Sequence, residues 1–480
     1  MIDSSTGAET KMSIVMPVNP AQIAIERTEE SLVSSQGLFL HLVFSHSLVL
    51  FVMWMFGDTL SRAGSLFAVS LASLAGVISL YIFYLRKTLG TRALSVVLSA
   101  FALRLVVGIV HYVLFMQSNY FESSVDFSYF WDFEWMHQSM IIVSDSWANW
   151  GLLSPLPASY FLENKNPYLI AYNALIYFFN GANSLNIAPW NSLHSIYTAI
   201  IVGALALRLG ASKNQAILAL AIAAFQPFGF ISSIMWRDSV GQFWLILGVY
   251  LLISTRDKKY LWVMILPAAC FFAWSYRQPY MAIILVLAAY ILSTAYEVRI
   301  TGWLIITFAI VVSIITSFFP ILFELNFSRF TGTRELSLSP FLFPIRLVRG
   351  FAGPFPWYQV FMGVNGVEYM LADFLQAVYN LTLVIFVIPI ARKMWQETSQ
   401  LDPSLLSGAL LFIVGTQATG VHMPYVSAGI VLLLPLACQV DYRSWSQTFL
   451  QCFYGFIIAN ILYWMLGLTG SGVLQGITGY

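Results

Sequence analysis

Tyr168-Leu-Ile-Ala-Tyr-Asn-Ala-Leu-Ile-Tyr-Phe-Phe179 decides how the rest of the chain is threaded. The run is apolar and aromatic but short, because a helix needs about 20 such residues to cross a bilayer. Whether it crosses sets the side of every later loop. Charge arbitrates, since short cytoplasmic loops favour Lys and Arg. With the N-terminus inside and this run not crossing, Arg86, Lys87 and Arg92 fall inside. So do Arg208 and Lys213, then Arg256, Lys258 and Lys259, then Arg299, Arg392, Lys393 and Arg443. If the run crosses, every basic loop after it flips outside. It is therefore read as a re-entrant or interfacial segment.

Working outward, apolar stretches of spanning character lie at 37–56, 64–85, 93–116, 189–207, 216–236, 239–253 and 260–274. Others follow at 280–296, 303–323, 370–391, 405–419, 421–440 and 448–468. The expected fold is an all-α integral membrane protein, a polytopic bundle of about 13 transmembrane helices with two large external loops. A cytoplasmic tail covers 1–36, the membrane domain 37–468 with external loops at 117–188 and 324–369, and an external C-terminal tail 469–480. The tail 1–36 is polar and mixed in charge, without the basic-then-apolar pattern of a cleaved signal. No internal repeat of the transporter kind is visible.

Composition agrees with this threading. Of 480 residues, 59% are hydrophobic and 9% charged, against about 25% charged in soluble domains. The mean hydropathy is +0.76. A net charge of +1 gives no bulk attraction to nucleic acid. Cys270, Cys438 and Cys452 sit in apolar runs without metal-type spacing, so neither a disulfide nor a zinc site is expected.

The informative side chains fall on the expected external face. In the first loop Glu122, Asp126, Asp132 and Glu134 stand among aromatics, with Trp147 and Trp150 as interfacial anchors. A carboxylate beside apolar rings has a route to a raised pKa and to base chemistry. The alternative is a solvated acidic loop. The second loop carries Arg329, Arg334, Arg346 and Arg349 against Glu324, Glu335 and Glu368. External arginines run against the charge rule, and guanidinium is suited to bidentate phosphate recognition. Pairing with local acids or with lipid headgroups is the competing explanation. Around Trp357, Gly and Pro bends give that loop a shape able to grip a lipid-linked phosphate. Arg237–Asp238 and Arg277 lie at external helix ends, as does His422. Snorkelling and simple pairing compete with binding for each of them. Arg104 sits inside the third span and is expected to pair with an acid on another helix.

Three stretches carry a family resemblance: Asp126-Phe-Ser-Tyr129 with the turn at 147–151; Asn166-Pro-Tyr168 through the Gly181 end to Arg208; and the Pro227 to Trp236-Arg-Asp238 junction. Together they cover about a quarter of the chain, 126–253, and resemble the GT-C superfamily of membrane glycosyltransferases, mannosyl- and arabinosyltransferases among them. The resemblance implies transfer from a polyprenyl-phosphate-linked sugar to a glycan or lipid acceptor of the cell envelope. It also implies a bacterial inner membrane, with the N-terminus cytoplasmic and the C-terminus periplasmic or extracellular. Asp126 would be the catalytic acid or base, with Asp132 and Glu134 as further catalytic residues. Arg237, Asp238, Arg277, Arg346, Arg349, Trp357 and His422 would bind the lipid phosphate. No cofactor is firmly implied and no metal ligands are assigned, although acid clusters are able to hold Mg²⁺ or Mn²⁺. The sequence departs from the family in three ways: the long loop follows the third span rather than the first, an acidic dyad at its start is missing, and no soluble C-terminal domain follows. A polysaccharide polymerase joining lipid-linked repeats is the close alternative. A transporter or flippase, and a structural membrane subunit, are the alternatives of other classes.

Overall fold

A computed structural model describes residues 20–56, 62–111, 128–152, 154–156, 167–226, 238–276, 278–295, 302–318, 402–418, 423–438 and 454. Among these residues the chain is helical, without strands. In chain order the helices are α1 (Pro20–Phe56), α2 (Arg62–Leu80, continuing through a π turn to Thr88), α3 (Arg92–His111) and α4 (Ser128–Trp150). Next come α5 (Pro167–Asn180), α6 (Ile187–Arg208), α7 (Lys213–Ala224) and α8 (Asp238–Ser254). The rest are α9 (Trp262–Tyr276), α10 (Gln278–Ala295), α11 (Gly302–Phe318), α12 (Pro403–Ala418) and α13 (Met423–Ala437).

Among the described residues, four segments are long and apolar enough to cross a membrane: Gly37–Phe56, Ala63–Thr88, Arg92–Val110 and Ser184–Arg208. The thirteen expected spans are not all available for comparison, since 370–391 and 448–468, like the expected external loop 324–369, lie almost wholly outside the described residues. The deciding run forms α5, a 14-residue helix, about 21 Å long at 1.5 Å per residue and too short to cross. It ends at Gly181, whose φ of +74° only glycine adopts without cost, and whose N–H closes on Tyr177 O at 2.9 Å. α4 ends the same way at Gly151, with φ +92° and its N–H on Trp147 O at 2.9 Å. Met136, Met140, Val143 and Trp147 are buried at helical spacing on one face of α4, while Ile142, Asp145 and Trp150 face outward.

α6 is the centre of the bundle. Every residue from Ile187 to Ala206 is buried, and α1, α2, α3, α7, α8 and α13 pack on it. A helix apolar and buried on all sides has no water for its polar side chains, so they must find partners in the protein. Small residues let the neighbours come close. A Cβ placed on Gly76 of α2 would stand 2.5 Å from Val49 Cγ2 of α1 and 3.1 Å from the Tyr197 hydroxyl of α6. On Gly429 of α13 it would stand 2.6 Å from the Phe412 backbone nitrogen of α12.

Hydrogen bonds sort the helix termini into two ends. At one, Ser65 Oγ donates to Asn180 O (2.8 Å), Asn186 Nδ2 donates to Ser65 Oγ (2.6 Å), and Asn180 Nδ2 reaches Met53 O (3.4 Å). These bonds gather the end of α1, the starts of α2 and α6 and the end of α5. At the other end, Arg208 Nη2 donates to Ser254 O (3.1 Å), tying the C-termini of α6 and α8 together. α6 and α8 therefore run parallel, and Asp238 at the start of α8 points toward the asparagine end. The turns at the opposite end carry exposed Arg86, Lys87, Arg92, Lys213 and Arg256. The exposed Arg256–Asp257 pair there, at 3.8 Å, contributes little to stability.

Arg104 is fully buried on α3. Its Nε and Nη2 both donate to Ala224 O, at 2.9 and 2.6 Å. The expected partner is an acid on another helix; the acceptor described here is a carbonyl of the last turn of α7. The physics is related, because helix C-terminal carbonyls carry the negative end of the macrodipole. Arg208 uses the same device on α8, which accounts structurally for a span that closes on a basic residue.

Gly76→Val is expected to lower stability by about 1–3 kcal/mol through overpacking between α1, α2 and α6. The thermal midpoint of the detergent-purified protein reads this, against Phe67→Leu on the outer surface, which should leave it unchanged.

Candidate functional site

Asp238 is the one predicted site residue whose side chain is described. It opens α8, is only 3% exposed, and accepts a hydrogen bond at Oδ1 from the Tyr276 hydroxyl at 3.2 Å. A carboxylate at a helix N-terminus faces the positive end of the dipole, and a hydroxyl donor compensates part of its desolvation. Tyr276 is held by contact: a Cβ on Gly241, one turn into α8, would stand 2.1 Å from its ring. Gln242 Nε2 donates to Ser427 Oγ at 3.2 Å, bringing the first turns of α13 to the same place. The start of α8, the end of α9 and the start of α13 therefore converge at the asparagine end of the bundle.

Arg237, Arg277 and His422 are chain neighbours of this convergence, preceding Asp238, following Tyr276 and preceding Met423. They lie outside the described residues, as do Asp126, Arg346, Arg349 and Trp357. Asp132 and Glu134 fall on the first turns of α4, and their side chains are outside the described set too. Among the described residues no three His, Cys, Asp or Glu side chains form a group able to hold a metal ion.

A second polar constellation lies deeper and was not anticipated from sequence. The Tyr172 hydroxyl of α5 bridges two histidines, His46 Nε2 of α1 at 2.9 Å and His194 Nε2 of α6 at 2.8 Å. His194 Nδ1 lies 2.8 Å from Trp190 O. The Trp190 indole N–H donates to Asn173 Oδ1 at 3.0 Å. Aromatic rings wall the group: Tyr172 stacks on His46 at 5.6 Å, Phe243 lies 5.2 Å from His194, and Trp244 lies 5.5 Å from Tyr172. Beside it the Tyr197 hydroxyl gives its proton to Ser45 Oγ, because the Ser45 hydroxyl is committed to Gly76 O at 2.7 Å. Phe243 and Asp238 share α8 five residues apart, a rise of about 7.5 Å. The histidine group thus lies about one and a half turns below the Asp238 end.

The signal for this group was present but faint. His46 stands near the middle of an apolar stretch and His194 in another, and an ionisable residue inside a span is by default a functional candidate. Only the fold shows that a tyrosine of the non-crossing helix α5 joins them.

Comparisons with protein-family models, with curated proteins and with solved structures give no match to this chain.

Tyr276→Phe should cost about 1–3 kcal/mol by leaving a buried carboxylate one donor short. A thermal melt in detergent checks this; an unchanged midpoint would show that the pair contributes nothing at this junction.

Proposed function

We propose that this protein is a membrane glycosyltransferase that moves a sugar from a polyprenyl-phosphate-linked donor to a cell-envelope glycan or lipid acceptor. The observation that carries the reading is the convergence at the asparagine end. There a buried carboxylate, Asp238, meets Tyr276 and the first turns of α13, beside chain positions occupied by Arg237, Arg277 and His422. Cations and donors gathered at one end of an apolar bundle suit an anionic headgroup whose lipid tail stays in the membrane. The sequence resemblance over 126–253 points to the same chemistry.

In this reading the basic end, with Arg86, Lys87, Arg92, Lys213 and Arg256, faces the cytoplasm, and the asparagine end faces the periplasm or exterior. Asp126 takes the proton of the acceptor hydroxyl as that oxygen bonds to the anomeric carbon. The bond from that carbon to the phosphate oxygen breaks, and the polyprenyl phosphate leaves with the electron pair. Arg237, Arg277, Arg346 and Arg349 stabilise the charge on the departing phosphate, and binding energy spent there lowers the barrier directly. Asp132 and Glu134 join Asp126 as catalytic acids, and Trp357 and His422 hold the headgroup.

Mass spectrometry of lipid-linked glycans from cells with and without the gene tests the proposal. Loss of one sugar from a glycan is expected, restored by the wild-type gene and not by Asp126→Asn at equal membrane abundance. Loss of long chains with build-up of single lipid-linked repeats would instead identify a polymerase. An unchanged glycan profile would overturn the transferase reading in favour of transport.

A further inference from the structure

The direction of each hydrogen bond around Tyr172 follows from elementary donor and acceptor rules. Trp190 O is a carbonyl and only accepts, so His194 Nδ1 carries a hydrogen. In neutral His194 the Nε2 is then a lone pair and must receive the Tyr172 proton across 2.8 Å. The Tyr172 oxygen, its one proton spent, accepts from His46 Nε2–H across 2.9 Å. That leaves His46 Nδ1 as a lone pair. It is buried and has no partner among the described residues. An unpartnered buried acceptor costs about 1–3 kcal/mol, so its presence calls for an explanation.

We propose that His46, Tyr172 and His194 form a buried proton-transfer chain, with His46 Nδ1 as the entry and His194 Nε2 as the terminus. The bookkeeping closes. A proton from water bonds to His46 Nδ1, and His46 Nε2 passes its hydrogen to the Tyr172 oxygen. Tyr172 passes its own hydrogen to His194 Nε2, so His194 becomes the imidazolium and His46 ends neutral with its hydrogen on Nδ1. All three hydrogen bonds survive, with the two at Tyr172 reversed in direction. The charge moves from α1 to α6, where the Trp190 carbonyl already accepts from Nδ1 and the Trp190 ring lies 4.6 Å away.

The surroundings leave this route open. Among the described residues, Tyr197 on α6 lies beside His194, ring centroids 6.0 Å apart, and its proton is held by Ser45. α8 presents Phe243 and Trp244, and α2 presents the backbone of Gly76. His41, further back on α1, stands against Phe83 and Tyr84 instead. The relay lies below the Asp238 end and does not depend on which group, if any, is transferred there.

The test is a pH titration of the full chain, labelled with ¹⁵N-histidine in lipid nanodiscs, by solid-state NMR. Its six histidines are assigned with the single variants H46Q and H194Q. Near neutral pH, His46 should carry its hydrogen on Nε2 and His194 on Nδ1. On acidification, His194 should become doubly protonated in the same step in which His46 switches its hydrogen from Nε2 to Nδ1, one for one. In Tyr172→Phe the chain is cut, so His46 should itself become doubly protonated while His194 stays neutral. Wild-type protein in which His46 becomes the imidazolium and His194 does not change would overturn the proposal. So would a His46 that holds its hydrogen on Nδ1 at neutral pH. The wild-type titration decides the matter even if Tyr172→Phe does not fold.

Discussion

A helix buried on every side inside an apolar bundle must have its polar side chains answered by other protein groups, and α6 is that helix here. Its backbone satisfies itself, as any membrane helix must. Ser192 and Thr198 also turn back onto carbonyls of the same helix, whereas the larger polar side chains reach its neighbours. Asn186 is answered by Ser65 of α2, Trp190 by Asn173 of α5, His194 by Tyr172 of α5, and Tyr197 by Ser45 of α1. Each bond is worth roughly 0.5–1.5 kcal/mol net when made and more when one partner is lost. Their larger effect is on specificity, because non-directional apolar contact alone leaves the register of α1, α2 and α5 against α6 poorly defined. Three polar contacts along the helix, with a fourth at its cap residue Asn186, define it.

The same constraint explains α5. A 14-residue helix cannot reach across a bilayer, yet its buried face carries Asn173, Tyr177 and Asn180. Such a helix is stable within the apolar region only when it lies against protein. It lies against α1, α4 and α6, and its central polar groups have partners to meet there: Asn173 the Trp190 indole, Tyr172 two histidines, and Tyr177 the His137 ring. The Gly181 end that contributed to the family resemblance has a local cause as well, since a left-handed residue is needed to stop the helix there. A helix stop of this kind is general chemistry, and the weight of the resemblance therefore rests on its charged positions.

Legibility from sequence followed the range of the interaction. Apolar length and the placement of Lys and Arg are local signals, and they gave the helices, the shortness of the α5 run and the gathering of basic turns at one end. Asp238 was legible because it stands beside Arg237 at a broken span. Its partner Tyr276 was not, being 38 residues away on another helix. The Tyr172 bridge was less legible still, because His46 and Tyr172 are separated by 126 residues and each looks like an isolated polar group in an apolar run. Arg104 shows a different limit. Its cost in an apolar span was evident, but the backbone carbonyl that it engages leaves no mark in the sequence.

The two polar constellations differ in the kind of work they suit. At the Asp238 end, the starts of α8 and α13 meet the end of α9, and charged neighbours adjoin in the chain, an arrangement suited to a polar group at a helix-bundle end. Around Tyr172, groups that both donate and accept lie in sequence inside a ring of aromatics, with one acceptor left over. A purely structural cluster would be expected to close on itself, as Ser45, Gly76 and Tyr197 do, where every proton has a fixed destination. The His46 chain does not close. Its hydrogen-bond direction is set at one end by the Trp190 carbonyl and is unset at the other, so a single added proton can reverse the bonds at Tyr172 while every bond is kept. Because α8 carries Phe243 and Trp244 against this chain and Asp238 at its own start, a charge change at His194 is made within two turns of the buried carboxylate.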